Sequence, residues 1–186
     1  FKEGQFDQAI ADFSKGIEIN PDFVWAYYKR GEAFTYIGQF DKAVHDFDKV
    51  LEINPRGVMD PENGMAYAYR GLAYSKKGQY DEAISDYSKA LVESAKEPWY
   101  ENKKIYWWVY KERGNMYMVK GQYDQAISDY TNALMQTGDG ITREFRGDAY
   151  MIKGEYEKAI SDYTALVRYG GSPKLRYKRG RAYYLK

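Results

Sequence analysis

The sequence predicts an all-α array in which antiparallel helix pairs stack one on the next, and three observations predict it. The stretch GQYDQAISDY at residues 121–130 recurs as GQFDQAIADF from Gly4, GQFDKAVHDF from Gly38, GQYDEAISDY from Gly78 and GEYEKAISDY from Gly154. An Arg-Gly pair precedes each copy after the first, at Arg30-Gly31, Arg70-Gly71, Arg113-Gly114 and Arg146-Gly147. Apolar residues on both sides of each copy's glycine return at three- and four-residue intervals, which is the period of a helix face. The glycine spacings of 34, 40, 43 and 33 residues set a base period of about 34 with two insertions, and self-similarity at that period marks a repeat array.

Each repeat divides at its glycine into two helices. In residues 25–37, Ala26, Arg30, Ala33, Phe34 and Ile37 share one face; in residues 41–53, Ala43, Val44, Phe47, Val50 and Leu51 share another. The glycine ends the first helix, because it tolerates the left-handed conformation of a helix stop. The acid three residues later (Asp7, Asp41, Asp81, Asp124, Glu157) suits the start of the second helix, as an N-cap or as a first-turn charge on the macrodipole. Pro21 and Pro55 close the second helices of the first two units. Later units place Ala95, Gly138 and Gly171 there, so looser ends are expected.

In chain order, residues 1–23 read as the second helix of a truncated unit, with residues 1–3 ending a first helix. Full units follow at 24–57, 64–97, 101–139 (with an extended first helix) and 140–172, and residues 173–186 form the first helix of another truncated unit. The insertion at 56–63, RGVMDPEN, holds Gly and Pro and reads as a loop. The insertion at 93–108 carries Trp99, Tyr100, Tyr106, Trp107 and Trp108, with Pro98 separating the preceding helix from one that begins near Glu101. Its aromatics are either a packing wedge or an exposed contact patch, and packing is the expected role because such side chains are usually buried.

Small residues stand where helices must approach closely: the glycine of each Arg-Gly pair, and Ala9, Ala43, Ala83, Ala126 and Ala159. Aromatics such as Tyr117, Tyr123, Tyr130, Tyr150, Tyr156 and Tyr163 fill the gaps, which accounts for much of a total of 21 tyrosines. Their hydroxyls require a rim or a partner group. Arg30, Arg70, Arg113, Arg146 and Arg179 recur before each turn, and Asp12, Asp46, Asp86, Asp129 and Asp162 recur after it. Guanidinium and carboxylate at matched places predict a structural ion-pair ladder, within a unit (Arg30 with Asp46) or between neighbours (Asp12 with Arg30).

Composition narrows the function. With 28 Lys and Arg against 27 Asp and Glu, net charge supplies no argument for nucleic acid or a membrane surface. Charge is nevertheless uneven: residues 1–60 carry eleven acids and seven bases, whereas residues 168–186 carry seven bases and no acid. The absence of cysteine excludes a disulfide scaffold, a thiolate metal site and a cysteine nucleophile, and leaves the compartment open. No apolar run approaches the roughly 18 residues of a membrane span. No leader is visible, but the sequence starts within a unit, so one could lie upstream. His45, the one histidine, reads as a solvent-facing helix residue, because the repeat places no nucleophile to meet it. No phosphate-loop, dinucleotide, zinc or calcium pattern occurs, and Gly138-Asp139-Gly140 reads as a turn. No enzyme activity, cofactor or metal is expected.

The pattern R-G-x-x-Y followed by G-x-Y-D-x-A-I-x-x-Y resembles the tetratricopeptide repeat, which carries W-x2-L-G-x2-Y, then A-x3-F, then Pro at a 34-residue period. The resemblance spans essentially the whole chain. Departures are Arg where the family most often has Leu, Tyr27, Tyr67 and Tyr110 in place of Trp, and Arg143 and Arg176 at that same place. The resemblance implies a right-handed superhelical solenoid whose first helices line a concave groove, and a non-catalytic scaffold that binds a peptide or extended segment of a partner protein there.

Carried over residue by residue, the groove-facing positions are Trp25, Tyr28, Lys29, Glu32 and Tyr36, then Met65, Ala68, Tyr69 and Leu72. Trp108, Lys111, Asn115 and Met118 follow, then Ile141, Glu144, Phe145 and Asp148, and lastly Lys174, Tyr177, Lys178 and Arg181. Members that hold a C-terminal carboxylate use a clamp of Lys and Asn, which Lys111, Asn115, Lys174 and Lys178 match at four places, with Phe145 where the middle Asn belongs. A second expectation is self-association head to tail, since the apolar faces at 1–23 and 173–186 lack partners and carry opposite charge. A third is the recognition arm of an enzyme whose catalytic domain lies elsewhere. No nucleic-acid partner and no membrane insertion are expected.

Overall fold

The structure, a computed structural model, describes residues 3–55, 63–96, 106–168 and 170–186. Among these residues are ten α-helices and no strand. They belong to two compact units, Phe1–Trp99 and Tyr100–Lys186. The first unit holds α1 (Glu3–Ile19), α2 (Val24–Tyr36), α3 (Phe40–Ile53), α4 (Asn63–Lys76) and α5 (Tyr80–Lys96), each packed on its successor, with α2 also touching α4. The second unit holds α6 (Trp107–Val119), α7 (Tyr123–Thr137), α8 (Gly140–Ile152), α9 (Tyr156–Arg168) and α10 (Pro173–Leu185), again packed in succession. Even-numbered helices are the first helices of their repeats and odd-numbered ones the second.

The turn between the two helices of a repeat is built the same way four times. Gly38, Gly78, Gly121 and Gly154 take φ of +77°, +77°, +71° and +75°. The next residue donates its backbone N–H across the turn, from Gln39 to the Phe34 carbonyl at 2.9 Å and from Gln79, Gln122 and Glu155 to Tyr74, Tyr117 and Tyr150 at 3.0, 2.9 and 2.9 Å. This six-to-one bond satisfies an end carbonyl of the first helix, and only glycine takes the left-handed position without strain. Gln39 and Gln122 then open the second helix with no side-chain cap. Asp41, Asp81, Asp124 and Glu157 lie in the first turn of their helices, so of the two expected roles they take the charge on the macrodipole.

Gly4 departs from its counterparts. It lies inside α1 without a positive φ, because the chain is already helical from Glu3, upstream of the expected turn. Residues 1–2 are outside the described residues.

Helix ends follow local chemistry. Asn20-Pro21 and Asn54-Pro55 stand directly after α1 and α3. Lacking that proline, α5 continues through Ala95 to Lys96, so residues 93–96 belong to the helix rather than to an insertion. The glycines give firmer ends than the looser ones expected: Gly138 stops α7 in the left-handed conformation, φ +65°, and donates to the Leu134 carbonyl at 3.0 Å. Gly170 at φ +96° follows α9, and the Ser172 side chain caps α10 with Pro173 in its first turn.

Of the predicted loop, residues 56–62 lie outside the described residues, whereas Asn63 starts α4 and donates from its amide to the Asn54 carbonyl at 2.7 Å. Pro98, Trp99, Tyr100 and the helix start near Glu101 also lie outside. Among the described aromatics of that stretch, Tyr106 is buried and Trp107 and Trp108 are half-buried.

Two contacts set the register of each helix pair. The first is a ring seated on a glycine: a Cβ built at Gly31, Gly71, Gly114 or Gly147 would lie 3.0, 3.1, 2.8 or 2.7 Å from the ring of Phe47, Tyr87, Tyr130 or Tyr163. These four rings are essentially fully buried, each worth about 2–3 kcal/mol over leaving it exposed. Ala43, Ala83, Ala126 and Ala159 beside them are buried completely.

The second contact is the predicted ion-pair ladder, found within the repeat. Nε and Nη2 of Arg30 donate to both oxygens of Asp46 at 2.8 Å each. Arg70 holds Asp86 at 2.6 and 2.9 Å, Arg113 holds Asp129 at 2.8 Å twice, and Arg146 holds Asp162 at 2.9 and 2.7 Å. The neighbouring link differs from the Asp12–Arg30 expectation. The remaining nitrogen of Arg30 donates to Ser14 Oγ at 3.0 Å, that of Arg146 to Thr131 Oγ1 at 3.1 Å, and that of Arg70 to Asp48. All three acceptors stand two residues after the repeat's aspartate, so the guanidinium ties its own second helix to the preceding one. Asp12 itself is exposed.

Candidate functional site

The predicted binding residues sit on first helices, and their environments differ. On α2, Trp25 is 39% exposed and meets Tyr28 edge-on at 5.7 Å between ring centroids. Lys29 Nζ lies 5.5 Å from the Trp25 ring centroid and 5.1 Å from that of Tyr28, and pairs with Glu32 at 2.8 Å. Tyr36 is exposed and stacks on Phe6 at 5.5 Å. Tyr28 is a correction to the expected contact surface: it is buried in the core, edge-on to Phe47 at 6.0 Å and to Tyr69 of α4 at 5.9 Å. It supports the face from below. Ala68 is likewise fully buried, because the helices approach too closely there for it to reach solvent. Tyr69 is half-buried, and burial first, then Glu32, pushes its hydroxyl well above the usual tyrosine range. Proximity of Glu32 on α2 to Tyr69 on α4 joins the two first helices across one face.

In the Tyr100–Lys186 unit, α6, α8 and α10 carry the remaining positions. Trp108 is half-buried; Lys111 Nζ stands 5.3 Å from the Trp107 ring centroid and 3.4 Å from Glu112. Asn115 accepts from the Tyr130 hydroxyl at 2.8 Å and donates to Glu112 at 3.2 Å. Phe145 packs on Tyr130 at 6.0 Å between ring centroids. Lys178 donates to Glu144 at 2.7 Å and to Asp148 at 2.6 Å. Burial alone would lower the Lys178 pKa, but these two carboxylates outweigh it and raise the value. Lys174 is 74% exposed and 3.8 Å from Glu144; Tyr177 is also exposed. The Tyr163 hydroxyl donates to Asp148 at 2.7 Å, and burial with that neighbouring charge raises its pKa far above the usual range.

The four residues matched to a carboxylate clamp therefore do not form a vacant set of donors. Lys178 is held by two acids, Asn115 is engaged by Tyr130 and Glu112, and α8 presents Glu144, Phe145 and Asp148 between α6 and α10. What α8 and α10 form is a cleft of about 420 Å³, lined by Asp148, Met151, Ile152, Tyr163, Lys174, Tyr177, Lys178 and Arg181. Sequence reasoning missed Met151 and Ile152. Ile152 stands four residues after Asp148, one helical turn along the same face, and that spacing was the available signal.

In the Phe1–Trp99 unit, His45 is exposed and lines a shallow depression with Arg30, Phe34, Asp41, Lys42 and Asp46. No hydroxyl or thiol nucleophile is among these residues. Among the described residues no cluster of three His, Cys, Asp or Glu could hold a metal ion, and no helix is long and apolar enough to cross a membrane.

Helix pairs repeated at a fixed register, each locked by a seated ring and an Arg–Asp bridge, define a helical-repeat protein. The chain belongs to the tetratricopeptide repeat family: a TPR repeat model matches residues 1–35, and tetratricopeptide repeat models match residues 24–56, 65–93 and 111–173. Solved structures of this fold are similar over most of the chain. YrrB, described as a TPR protein with an unusual peptide-binding site, is 22% identical with a TM-score of 0.76, covering 92% of this chain and 82% of its own. MamA 41-end from Desulfovibrio magneticus RS-1 is 21% identical with a TM-score of 0.73, covering 91% of this chain and 89% of its own. TTC0263, a thermophilic TPR protein of Thermus thermophilus, is 20% identical with a TM-score of 0.61, covering 97% and 92%. No curated protein matches the chain.

Proposed function

We propose that this chain is a non-catalytic protein-interaction scaffold that binds a peptide or extended segment of a partner protein on the faces of its first helices. The observation that carries this reading is the α8–α10 cleft, a preformed concavity with an apolar floor and charged rim on first helices. Exposed Trp25 and Tyr36 on α2 add aromatic anchors of the kind that dominate binding energy. The peptide-binding site named for YrrB, a similar fold, agrees with it. Affinity capture from the source lysate, read by mass spectrometry, tests the reading. A Trp25→Ala/Tyr177→Ala variant is expected to lose partners that a His45→Ala variant, altered on a second helix, retains. Equal capture by both would reject the first-helix faces as the binding surface.

A second reading, end-to-end self-association, is favoured by one observation. Gly180, next to Arg179, faces open space where the other ladder glycines meet a ring. Arg179 has no ion-pair partner among the described residues. Asp12-Phe13 on α1 repeats the Asp-aromatic pair that fills this place in four repeats, with Asp12 exposed. A second copy's α1 would offer a carboxylate and ring to α10 at this place. Sedimentation velocity is expected to show concentration-dependent oligomers that either Asp12→Arg or Arg179→Asp abolishes and that mixing these two variants restores. A monomer at every concentration rejects this reading.

A further inference from the structure

We propose that the α8–α10 cleft selects an acidic protein segment carrying one apolar anchor side chain, an inference that rests on the first-helix binding reading above. The charge the cleft offers a ligand depends on which of its groups are already satisfied. Asp148 is the one acid lining the cleft, and it is taken up by the Lys178 ammonium and the Tyr163 hydroxyl. Glu144, just outside, is taken up by Lys178 and faced by Lys174. Lys178 is thus a neutralised strut between α8 and α10. Arg181 is exposed, lines the cleft and has no ion-pair partner among the described residues; Lys174 is largely exposed, with only a long contact to Glu144. These two cations are left to face a ligand. The rest of α10 reinforces them, since its thirteen residues hold five bases and no acid.

The floor of the cleft supplies apolar surface. Met151, the exposed Ile152 and the exposed Tyr177 ring line the same cleft as the cations. The volume, about 420 Å³, falls within the roughly 300–1,000 Å³ of small-ligand sites, which suits one large aliphatic side chain with its flanking backbone. Carboxylates on either side of that anchor would reach Lys174 at one rim and Arg181 at the other, where a guanidinium can hold a carboxylate through two hydrogen bonds. A basic segment would bring its charges against Arg181 and Lys174, so the same rim acts as a discriminator.

The test is fluorescence anisotropy with a labelled peptide carrying a single leucine between two pairs of glutamates, acetylated and amidated so that no terminal carboxylate is present. The acidic peptide is expected to bind at least ten-fold tighter than its leucine-to-serine and glutamate-to-lysine counterparts. The exposed double variant Lys174→Glu/Arg181→Glu, checked for fold by circular dichroism, is expected to weaken it at least ten-fold, while Lys120→Glu, directly after α6, leaves it unchanged. No binding, no preference over the lysine peptide, or an unchanged affinity in Lys174→Glu/Arg181→Glu overturns the inference. Should the peptide fail while lysate partners are still lost in Trp25→Ala/Tyr177→Ala, the first-helix reading stands and this ligand class alone is rejected.

Discussion

Arg113 and Asp129 show what a single ladder rung contributes. Burial raises the Asp129 pKa, and the guanidinium bonded to both its oxygens lowers it only part of the way back. On Arg113, the same burial acts against the charge, and the carboxylate prevails. With side chains 18% and 4% exposed, the pair's attraction is set against a large desolvation cost, so its net value is small compared with the cost of breaking it. Arg113→Leu leaves a buried carboxylate without its counter-charge and is expected to cost about 3 kcal/mol, the low end for a buried pair because the guanidinium edge still meets solvent. Arg113→Leu/Asp129→Leu is expected to recover most of that loss in chemical denaturation. A single variant with unchanged or higher Tm would show that the rung is not needed for stability.

Helix α8 shows how an element is started where the repeat supplies no help. Gly138 stops α7, and Asp139 caps α8 by accepting from the Thr142 backbone N–H at 2.8 Å and its hydroxyl at 2.7 Å. Burial works to raise the Asp139 pKa, but these bonds and the Ile141 amide outweigh it, holding the carboxyl below its ordinary 3.8. A folded pKa lower than the unfolded one contributes stability that is complete above about pH 4–5 and lost as pH falls through the folded value. Asp139→Ala is therefore expected to cost about 1 kcal/mol at neutral pH, with the difference from wild type shrinking in denaturation curves as pH falls below the carboxyl's ordinary value. A difference independent of pH would mean that packing, not the cap, is lost. The second helices need no such device, since their start is shaped by the turn glycine and the six-to-one bond.

Across the molecule, charge sorts along the chain. The eleven acids among residues 1–60 and the seven bases without acid among residues 168–186 cancel in the total of 28 against 27. On the end-to-end reading, this arrangement sets an acidic start against a basic end, head to tail, rather than like charge against like. End-to-end association, if built on Asp12 and Arg179, is expected to weaken several-fold as salt rises from about 0.1 to 1 M, where the screening length shrinks from about 10 to 3 Å. Oligomers that persist unchanged in high salt would point to apolar packing instead. The peptide binding proposed for the α8–α10 cleft is expected to share the same salt sign but to keep the leucine contribution, so the serine peptide separates the two.

Much of the architecture is legible in the sequence because it depends on local or strictly periodic features. A glycine that must turn left-handed, a ring that must rest on a glycine sixteen residues earlier, and an arginine paired with an aspartate at the same interval all leave marks at fixed spacing. Gly4 escapes that reading because the same residue inside a continuing helix leaves the same letter. Tyr28 and Ala68 lie at groove register yet are buried, since how closely α2, α3 and α4 approach is decided by all their side chains together. The sequence alone determined the helix pairs, their register and the family. Only tertiary structure decided which cations are paired: Lys178 is cancelled by Glu144 and Asp148, Lys174 keeps a single long contact to Glu144, and Arg181 has no ion-pair partner among the described residues, because ion pairing depends on distances between helices that no one-dimensional spacing contains.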